Sequence, residues 1–462
     1  MGRWVHGPGP GEAATAADNA AVAADQPPAD ILHAMPAYRA PRGTRDLLPD
    51  ERAVFDRLMR LAADLAHRYG YRAIETPLFE QAAVFERGIG AVTDVVEKEL
   101  FRIAPRTEEA ETWALRPEPT AGIVRAYVQH GMQTWPQPVK VTTTGPMFRY
   151  DRPQAGRYRQ FWQFDVEAIG DAGPGIDAEV IELAYRFYTE AGVEGVEVLV
   201  NSIGDPACRP AYVEELVAYY RSHADRLPPA ERERLERNAL RLLDSKDPAM
   251  AELNAAAPRI TDRLCDACSA HFESVKAHLS AVGLAFRVEP GLVRGLDYYT
   301  RTAFEFYVAG REGQQQALGG GGRYDGLVAL LGGKPTPGIG FGLGLDRVAL
   351  VLAEQGHVAP PEIAPLAVVV GADPDDTVAR FRVASMLRAS RLRVRADLAR
   401  RKLGRQLEAA GRDGAHFAVI IGDELAHGDV QVRDLQGGTQ RTVPLDDLAR
   451  ELARAEASHH HG

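Results

Sequence analysis

The sequence predicts an α/β protein of about two or three domains. It would have a mixed body over 39–355, a mainly helical insertion over about 206–282, and a small C-terminal α/β domain over 362–455. Three observations carry that expectation. Helical and strand-like spacing alternate along the body. Between 206 and 282 most segments read as polar-faced helices. Beyond the linker His357-Val358-Ala359-Pro360-Pro361, the apolar runs 366–370 and 417–421 bracket a basic helical region, which indicates a small parallel or mixed sheet.

Composition narrows the class. The chain is 45% hydrophobic and 26% charged, and no apolar run is long enough to span a bilayer. A net charge of −10 argues against a binder that meets nucleic acid with its whole surface, but leaves local basic stripes open. Only Cys208, Cys265 and Cys268 occur, too few for a disulfide framework, so a reducing cytosol is expected. Residues 1–38 are rich in Ala, Pro, Gly and Asp and are expected to be a disordered tail. Met35, just before the first structured-looking segment, is read as the natural start.

The first element is a helix over 50–69, with Val54, Phe55, Leu58, Leu61, Leu65 and Ala66 on one face and Gly70 ending it. A short β-like run, 71–76, closes at Pro77, which suits a sheet edge or a subunit interface. Two β-rich segments follow between 139 and 169, around a polar loop, 150–158. On the second of them Gln163, Asp165 and Glu167 alternate, so they share a face, either lining a pocket or facing water. Residues 177–190 read as helix and 195–201 as strand.

Several clusters carry chemistry. The segment 291–301 packs Arg294, Asp297, Tyr298, Tyr299 and Arg301 between glycines, ahead of a strand over 302–307. Arginine forks onto phosphate and tyrosine offers a rigid hydroxyl, although an exposed hairpin edge would look similar. Arg149, Arg152, Arg157 and Arg159 crowd the polar loop, where they can converge on phosphates or simply decorate a solvated hairpin tip. Glu118 and Thr120 stand just ahead of a helix. The pattern fits an ordinary helix start capped by Thr120 and, equally, a carboxylate at Glu118 that holds an ammonium group. Glycine recurs at every other position in 338–344, which clears one face of a strand for a flat ligand, with Arg347 reaching across it from a helix start.

Other sites are excluded or weaker. No Walker loop, dinucleotide fingerprint, HExxH or GxSxG occurs. Cys265, Cys268 and His271 resemble half a zinc site, but the second ligand pair is missing and Cys208 is remote in sequence, so no protein-only metal site is expected. From Arg380 to Arg405 ten basic residues face one acid, Asp397, which favours contact with a nucleic-acid backbone over a solvated face.

From Arg42 to its end the chain resembles bacterial histidyl-tRNA synthetases, which are class II aminoacyl-tRNA synthetases. Arg42-Gly43-Thr44-Arg45-Asp46 with the helix and strand ending at Pro77 is similar to the family's opening and dimer-forming first motif, 148–167 to the second, and 340–347 to the third. Arg294-Gly295-Leu296-Asp297-Tyr298-Tyr299 resembles the signature that sets the histidine enzymes apart. Pro119 stands where the family usually has glycine, and Trp162 where it often has histidine.

The resemblance implies an α+β catalytic domain on an antiparallel sheet, a helical insertion, and a C-terminal anticodon-binding domain. It implies activation of L-histidine by ATP, with Mg2+ bound to the ATP, and transfer to histidine tRNA by a cytosolic homodimer with no membrane partner. Arg149 and Arg294 would be catalytic, and Arg149, Arg157 and Arg347 would bind ATP. Glu118, Pro119, Thr120, Gln163, Glu167, Arg294, Tyr298 and Tyr299 would form the histidine site, and Arg152 and Gln154 would contact the tRNA acceptor end. The competing reading is a non-catalytic, histidine-binding regulatory relative of histidine biosynthesis.

Overall fold

A computed structural model describes residues 38–90, 93, 95–104, 107, 111–245, 247–293, 298–309, 317–357 and 364–459. The expected tail and the signature residues Arg294, Gly295, Leu296 and Asp297 lie outside the described residues, apart from Tyr38. Residues 38–42 carry a turn and no helix or strand.

The body is built on an eight-stranded sheet. Its middle is antiparallel, with Val139–Phe148, Gln160–Ile169, Gly338–Gly344, Gly319–Arg323, Thr300–Val308 and Val196–Ser202 side by side in that order. Short parallel strands finish both edges: Arg72–Ala73 beside Val139–Phe148, and Arg287–Val288 beside Val196–Ser202. The fold class expected for the body therefore holds, and the run ending at Pro77 does sit at a sheet edge.

Apolar periodicity explains how helices cover this sheet. Pro49–Arg68 buries Phe55, Leu58, Ala62, Leu65 and Ala66, while Val54 and Leu61 are half-buried against the same core. Pro174–Ala191 starts on a proline at its first turn and ends at Gly192, whose positive φ closes the helix. It buries Ile181, Ala184, Phe187 and Tyr188 against Phe164, Phe304, Phe306 and Phe341 of the sheet.

The helical stretch has its own apolar cluster, which includes Tyr212, Leu216, Tyr220, Leu242, Leu253 and Ile260. Helix Asp266–Ala281 belongs elsewhere, because Phe272, Val275 and Leu279 join the core of the main sheet.

The C-terminal region forms a five-stranded mixed sheet. Ala367–Gly371 and Phe417–Ile421 pair in parallel at its centre, and Asp429–Asp434 and Gln440–Pro444 add antiparallel strands. Both central strands are buried along their whole length, as continuous apolar runs demand. The basic stretch here is less available than its sequence suggests. Arg380 is fully buried, donating to the carbonyls of Asp376, Asp397 and Pro374 and to Gln406. Arg393, Arg395, Arg400 and Arg401 pair with Glu456, Asp413, Asp375 and Asp397, three of which lie outside the window that was counted. Arg382, Arg391, Lys402 and Arg405 are exposed and have no ion pair among the described residues.

One buried ion pair holds the body together under the site. Arg323 and Asp177 are both fully buried and bonded to each other, and Thr302 donates to Asp177 at 2.5 Å. Arg323 also donates to the carbonyls of Asp171 and Gly173, pinning the start of the Pro174–Ala191 helix to the strand that precedes Tyr324. Removing one partner would strand a buried charge, so Asp177→Ala should lower the unfolding free energy by about 3–5 kcal/mol. Denaturant melts check this, and a loss indistinguishable from a surface substitution would refute it.

Candidate functional site

A cavity of about 300 Å³ opens over the centre of the main sheet. Its lining includes Glu118, Thr120, Arg149, Arg157, Gln163, Asp165, Glu167, Tyr298, Tyr299, Tyr324 and Arg347. Every described residue proposed from sequence for the histidine and ATP sites is thus in one cavity, except Pro119.

The strand Gln160–Ile169 supplies its floor. Gln163, Asp165 and Glu167 share one face and are buried. The neighbouring strand sets Gly344, Gly342 and Gly340 directly opposite them. A Cβ at Gly340 would collide with the Glu167 carboxylate, and one at Gly342 would meet Asp165 Oδ1 at 2.7 Å and Gln163 Nε2 at 2.9 Å. The alternating glycines were expected to leave a bare floor for a flat ligand. At Gly340 and Gly342 they make room instead for three polar side chains, while at Gly344 a Cβ would meet nothing closer than the Leu318 carbonyl at 3.6 Å. An open floor is therefore confined to the end where Arg347 stands.

Glu118 approaches from the start of helix Thr120–Gln129. Its carboxylate accepts the backbone N–H groups of Thr120 at 2.7 Å and Ala121 at 3.0 Å. Glu118, not Thr120, therefore caps this helix, because the residue at the cap position is Pro119, whose side chain carries no acceptor. Thr120 is released to donate its hydroxyl to Glu167 Oε1 at 2.6 Å. Pro119 adopts φ −94° and ψ −18°, a conformation open to any L-residue, so this backbone does not require glycine.

Glu167 is held on its other oxygen by the Tyr324 hydroxyl. Burial pushes its pKa up to about 8, against the lowering effect of the Thr120 and Tyr324 bonds, and Glu118 adds to the rise. Burial likewise holds Asp165 well above the usual carboxylate range, with Glu167 and Glu118 contributing. Gln163 Oε1 and Asp165 Oδ2 are buried acceptors without a donor among the described residues. A site with this inventory is built to receive N–H donors.

The cations form the complement. Arg149 donates to the Pro117 carbonyl at 2.8 Å, and its guanidinium lies 5.3 Å from the Phe161 ring centroid. Arg157 is paired with Asp151. Burial and then the charges of Arg157 and Arg149 lower the pKa of Arg347. With Arg149 and Arg157 close enough to act on Arg347, the three guanidiniums that line the cavity suit a polyanion. Arg45 ties this region together by donating to Asp346 at 3.0 Å, and Asp346 accepts the Trp162 N–H at 2.7 Å. Trp162 sits outside the polar face and lies under the Arg52 guanidinium.

Arg152 and Gln154 stand exposed on the 149–159 loop, outside the cavity lining. The rings of Tyr298 and Tyr299 lie tilted at 56° with centroids 4.6 Å apart, and Tyr298 meets Tyr324 edge-on at 5.8 Å. Asp165 was read only as sharing the polar face, with no assigned role, and Tyr324 was missed as a site residue. Asp165 had a signal in its alternation with Gln163 and Glu167. Tyr324 had one only in following a glycine run that the sheet folds over the cavity.

The reading of the cysteines needs correction. Cys208 is not remote in space: with Asp205 it meets Cys265 and Cys268, all four ligand atoms lying within 4.8 Å of one another. His271 stands apart, its Nε2 3.5 Å from Asp177.

Comparison with known proteins places the chain in a family. The family model described as histidyl-tRNA synthetase matches residues 43–348, and that of an anticodon binding domain matches 364–455. The histidine–tRNA ligase of Moorella thermoacetica is 50% identical over 406 residues, 88% of this chain and 95% of that protein. That of Desulforudis audaxviator is 45% identical over 416 residues, 90% and 98% respectively. The crystal structure of apo histidyl-tRNA synthetase from S. aureus is similar with a TM-score of 0.75 at 34% identity, covering 90% of this chain and all of that one.

The raised carboxyls fix a sign for pH dependence. Glu167 moves from 4.5 to about 8 on folding, so the folded state holds the proton more tightly and loses stability as pH rises between those values. Asp165 contributes in the same direction. Glu167→Gln should flatten the fall in melting temperature of the unliganded protein between about pH 5 and 8. An unchanged slope would show that Glu167 is not the group titrating.

Proposed function

This chain belongs to the histidyl-tRNA synthetase family and is an aminoacyl-tRNA ligase that joins histidine to tRNA, and we propose that the cavity over its main sheet performs both steps of that reaction. The observation that carries the reading is the composition of that cavity: buried acceptors of Gln163 and Asp165 with no donor among the described residues, beside the guanidiniums of Arg149, Arg157 and Arg347.

Histidine brings an ammonium and an imidazole, both N–H donors. Glu118 and Gln163 hold the ammonium, and Glu167, Tyr298 and Tyr299 read the ring, with Tyr324 fixing the Glu167 carboxyl. Each ring nitrogen must find a partner in a dry site, which is how such a pocket rejects an isosteric side chain. ATP places its phosphates among Arg149, Arg157 and Arg347. A carboxylate oxygen of histidine attacks the α-phosphorus, the bond to the β-phosphate oxygen breaks, and pyrophosphate leaves with that electron pair. The terminal tRNA hydroxyl then attacks the histidyl carbonyl, the acyl C–O bond of the mixed anhydride breaks, AMP leaves with that electron pair, and the hydroxyl proton is released. Neither step needs a protein nucleophile, so positioning and positive charge dominate. Arg294, outside the described residues, is assigned to the pentacoordinate phosphate.

Mg2+ prefers oxygen ligands and arrives with the nucleotide's phosphates. Glu305 and Asp244 line the same cavity and fit that requirement. Arg152 and Gln154, exposed on their loop, are placed for the acceptor end of tRNA, and 364–455 for its anticodon. A homodimer is supported by the edge strand Arg72–Ala73 and by the exposed Phe79 and Trp113, whose rings stack at 5.3 Å. The low cysteine count accords with a cytosolic site of action. The regulatory reading is set aside, because the anticodon-binding match and the high coverage of ligase relatives leave it without support.

ATP–pyrophosphate exchange, run with each standard amino acid separately, tests the assignment. Exchange is expected with histidine alone, and Arg149→Ala should reduce its rate by about 10²–10³-fold, the usual loss when one preorganised donor is removed. Exchange driven by another amino acid, or none at all, would reject it.

A further inference from the structure

We propose that Asp205, Cys208, Cys265 and Cys268 form a structural zinc site that clamps the two ends of the helical insertion to the main sheet. All three cysteines of the chain converge on one point, joined by a single carboxylate. Their ligand atoms lie within 4.8 Å of one another. A tetrahedral zinc with Zn–S near 2.3 Å has sulfur–sulfur edges of about 3.8 Å, so modest closure around an ion completes the shell. Three thiolates and one carboxylate select a soft, tetrahedral cation, which favours zinc over magnesium or calcium.

The surroundings fit that use. Cys208 caps the helix Arg209–Ser222 and Cys265 caps Asp266–Ala281, and neither cap has a side-chain hydrogen bond to the helix. Helix N-termini stabilise thiolates. Asp205 is oriented from behind: its Oδ2 accepts from Arg301 at 3.1 Å, while Oδ1 faces Cys208 at 3.7 Å. An outer partner that fixes a ligating carboxylate in this way is a regular feature of metal sites. The close packing at Gly204, where a Cβ would meet Cys208 Sγ at 2.9 Å, keeps that sulfur turned inward.

Position gives the site its purpose. Asp205 and Cys208 begin the insertion, and Cys265 and Cys268 end it, so one ion would close a loop spanning the insertion's separate core. The same corner meets the histidine pocket. Arg301 donates its N–H to the Gly204 carbonyl at 2.7 Å, and Arg209 donates to the Tyr299 carbonyl at 2.7 Å. Arg301 also holds a positive φ of 51° there. The clamp therefore fixes the backbone that presents Tyr298 and Tyr299.

The full-length protein, purified without chelator under reducing conditions, should carry one zinc ion per chain by elemental analysis. Removing it should lower the melting temperature, and refilling with cobalt should give the intense thiolate-to-cobalt charge-transfer band with tetrahedral visible bands. Cys265→Ser/Cys268→Ser should lose both the metal and the band, whereas Asp205→Cys should keep the metal and resist chelation longer than the parent. Absence of bound metal with no cobalt band, a melting temperature indifferent to the metal, or a disulfide among the three cysteines would each overturn the proposal.

Discussion

The register between two strands is the constraint on which the site rests. Gly340, Gly342 and Gly344 face Glu167, Asp165 and Gln163 across a single antiparallel ladder. The side-chain period of a strand is two, so a slip of one residue would set Phe341 and Leu343 against the polar face and turn the carboxyls into the apolar core. Here Phe341 and Leu343 belong to that core, with Phe164 and Val166 beside them. Core and cavity are two faces of the same register, and neither can change without the other.

Burying Glu118, Asp165 and Glu167 together costs free energy that the unliganded protein only partly recovers. Glu118 is compensated by two backbone N–H groups, and Glu167 by two hydroxyls. Asp165 keeps an oxygen with no donor among the described residues. The site is thus preorganised at the expense of stability, which the apolar core packed on the other face of the sheet offsets. A donor-rich ligand is what completes such a cavity. The three arginines follow the same logic with the opposite sign, since they hold positive charge ready where an anion must come.

Much of this was legible in the sequence because the signals are local. Helix and strand periodicity located the sheet and its covering helices, and the spacing of Gln163, Asp165 and Glu167 gave their common face. What escaped depends on contacts between distant segments. Arg380 reads as one more surface cation until the carbonyl of Asp397, just past the strand Val394–Ala396, and the side chain of Gln406 close over it. The helix start at Thr120 reads as a threonine cap, but Glu118 reaches back to take that role. Cys208 meets Cys265 only because a helical subdomain returns its chain to its starting point. The signature arginine was legible in sequence alone, as Arg294 lies outside the described residues.

Glu118 shows why these local and distant constraints cannot be separated. Its carboxylate satisfies two N–H groups that every helix start leaves orphaned, and it is also the group assigned to the substrate ammonium. A carboxylate has more acceptor positions than two backbone bonds consume, so it can serve both. The helix dipole favours its charged form while burial opposes it, with burial the larger influence on its pKa. An incoming ammonium adds the missing positive charge and tips that balance toward the carboxylate. The helix start thereby supplies a substrate group whose position is fixed by backbone geometry, and whose charge is settled by the substrate itself.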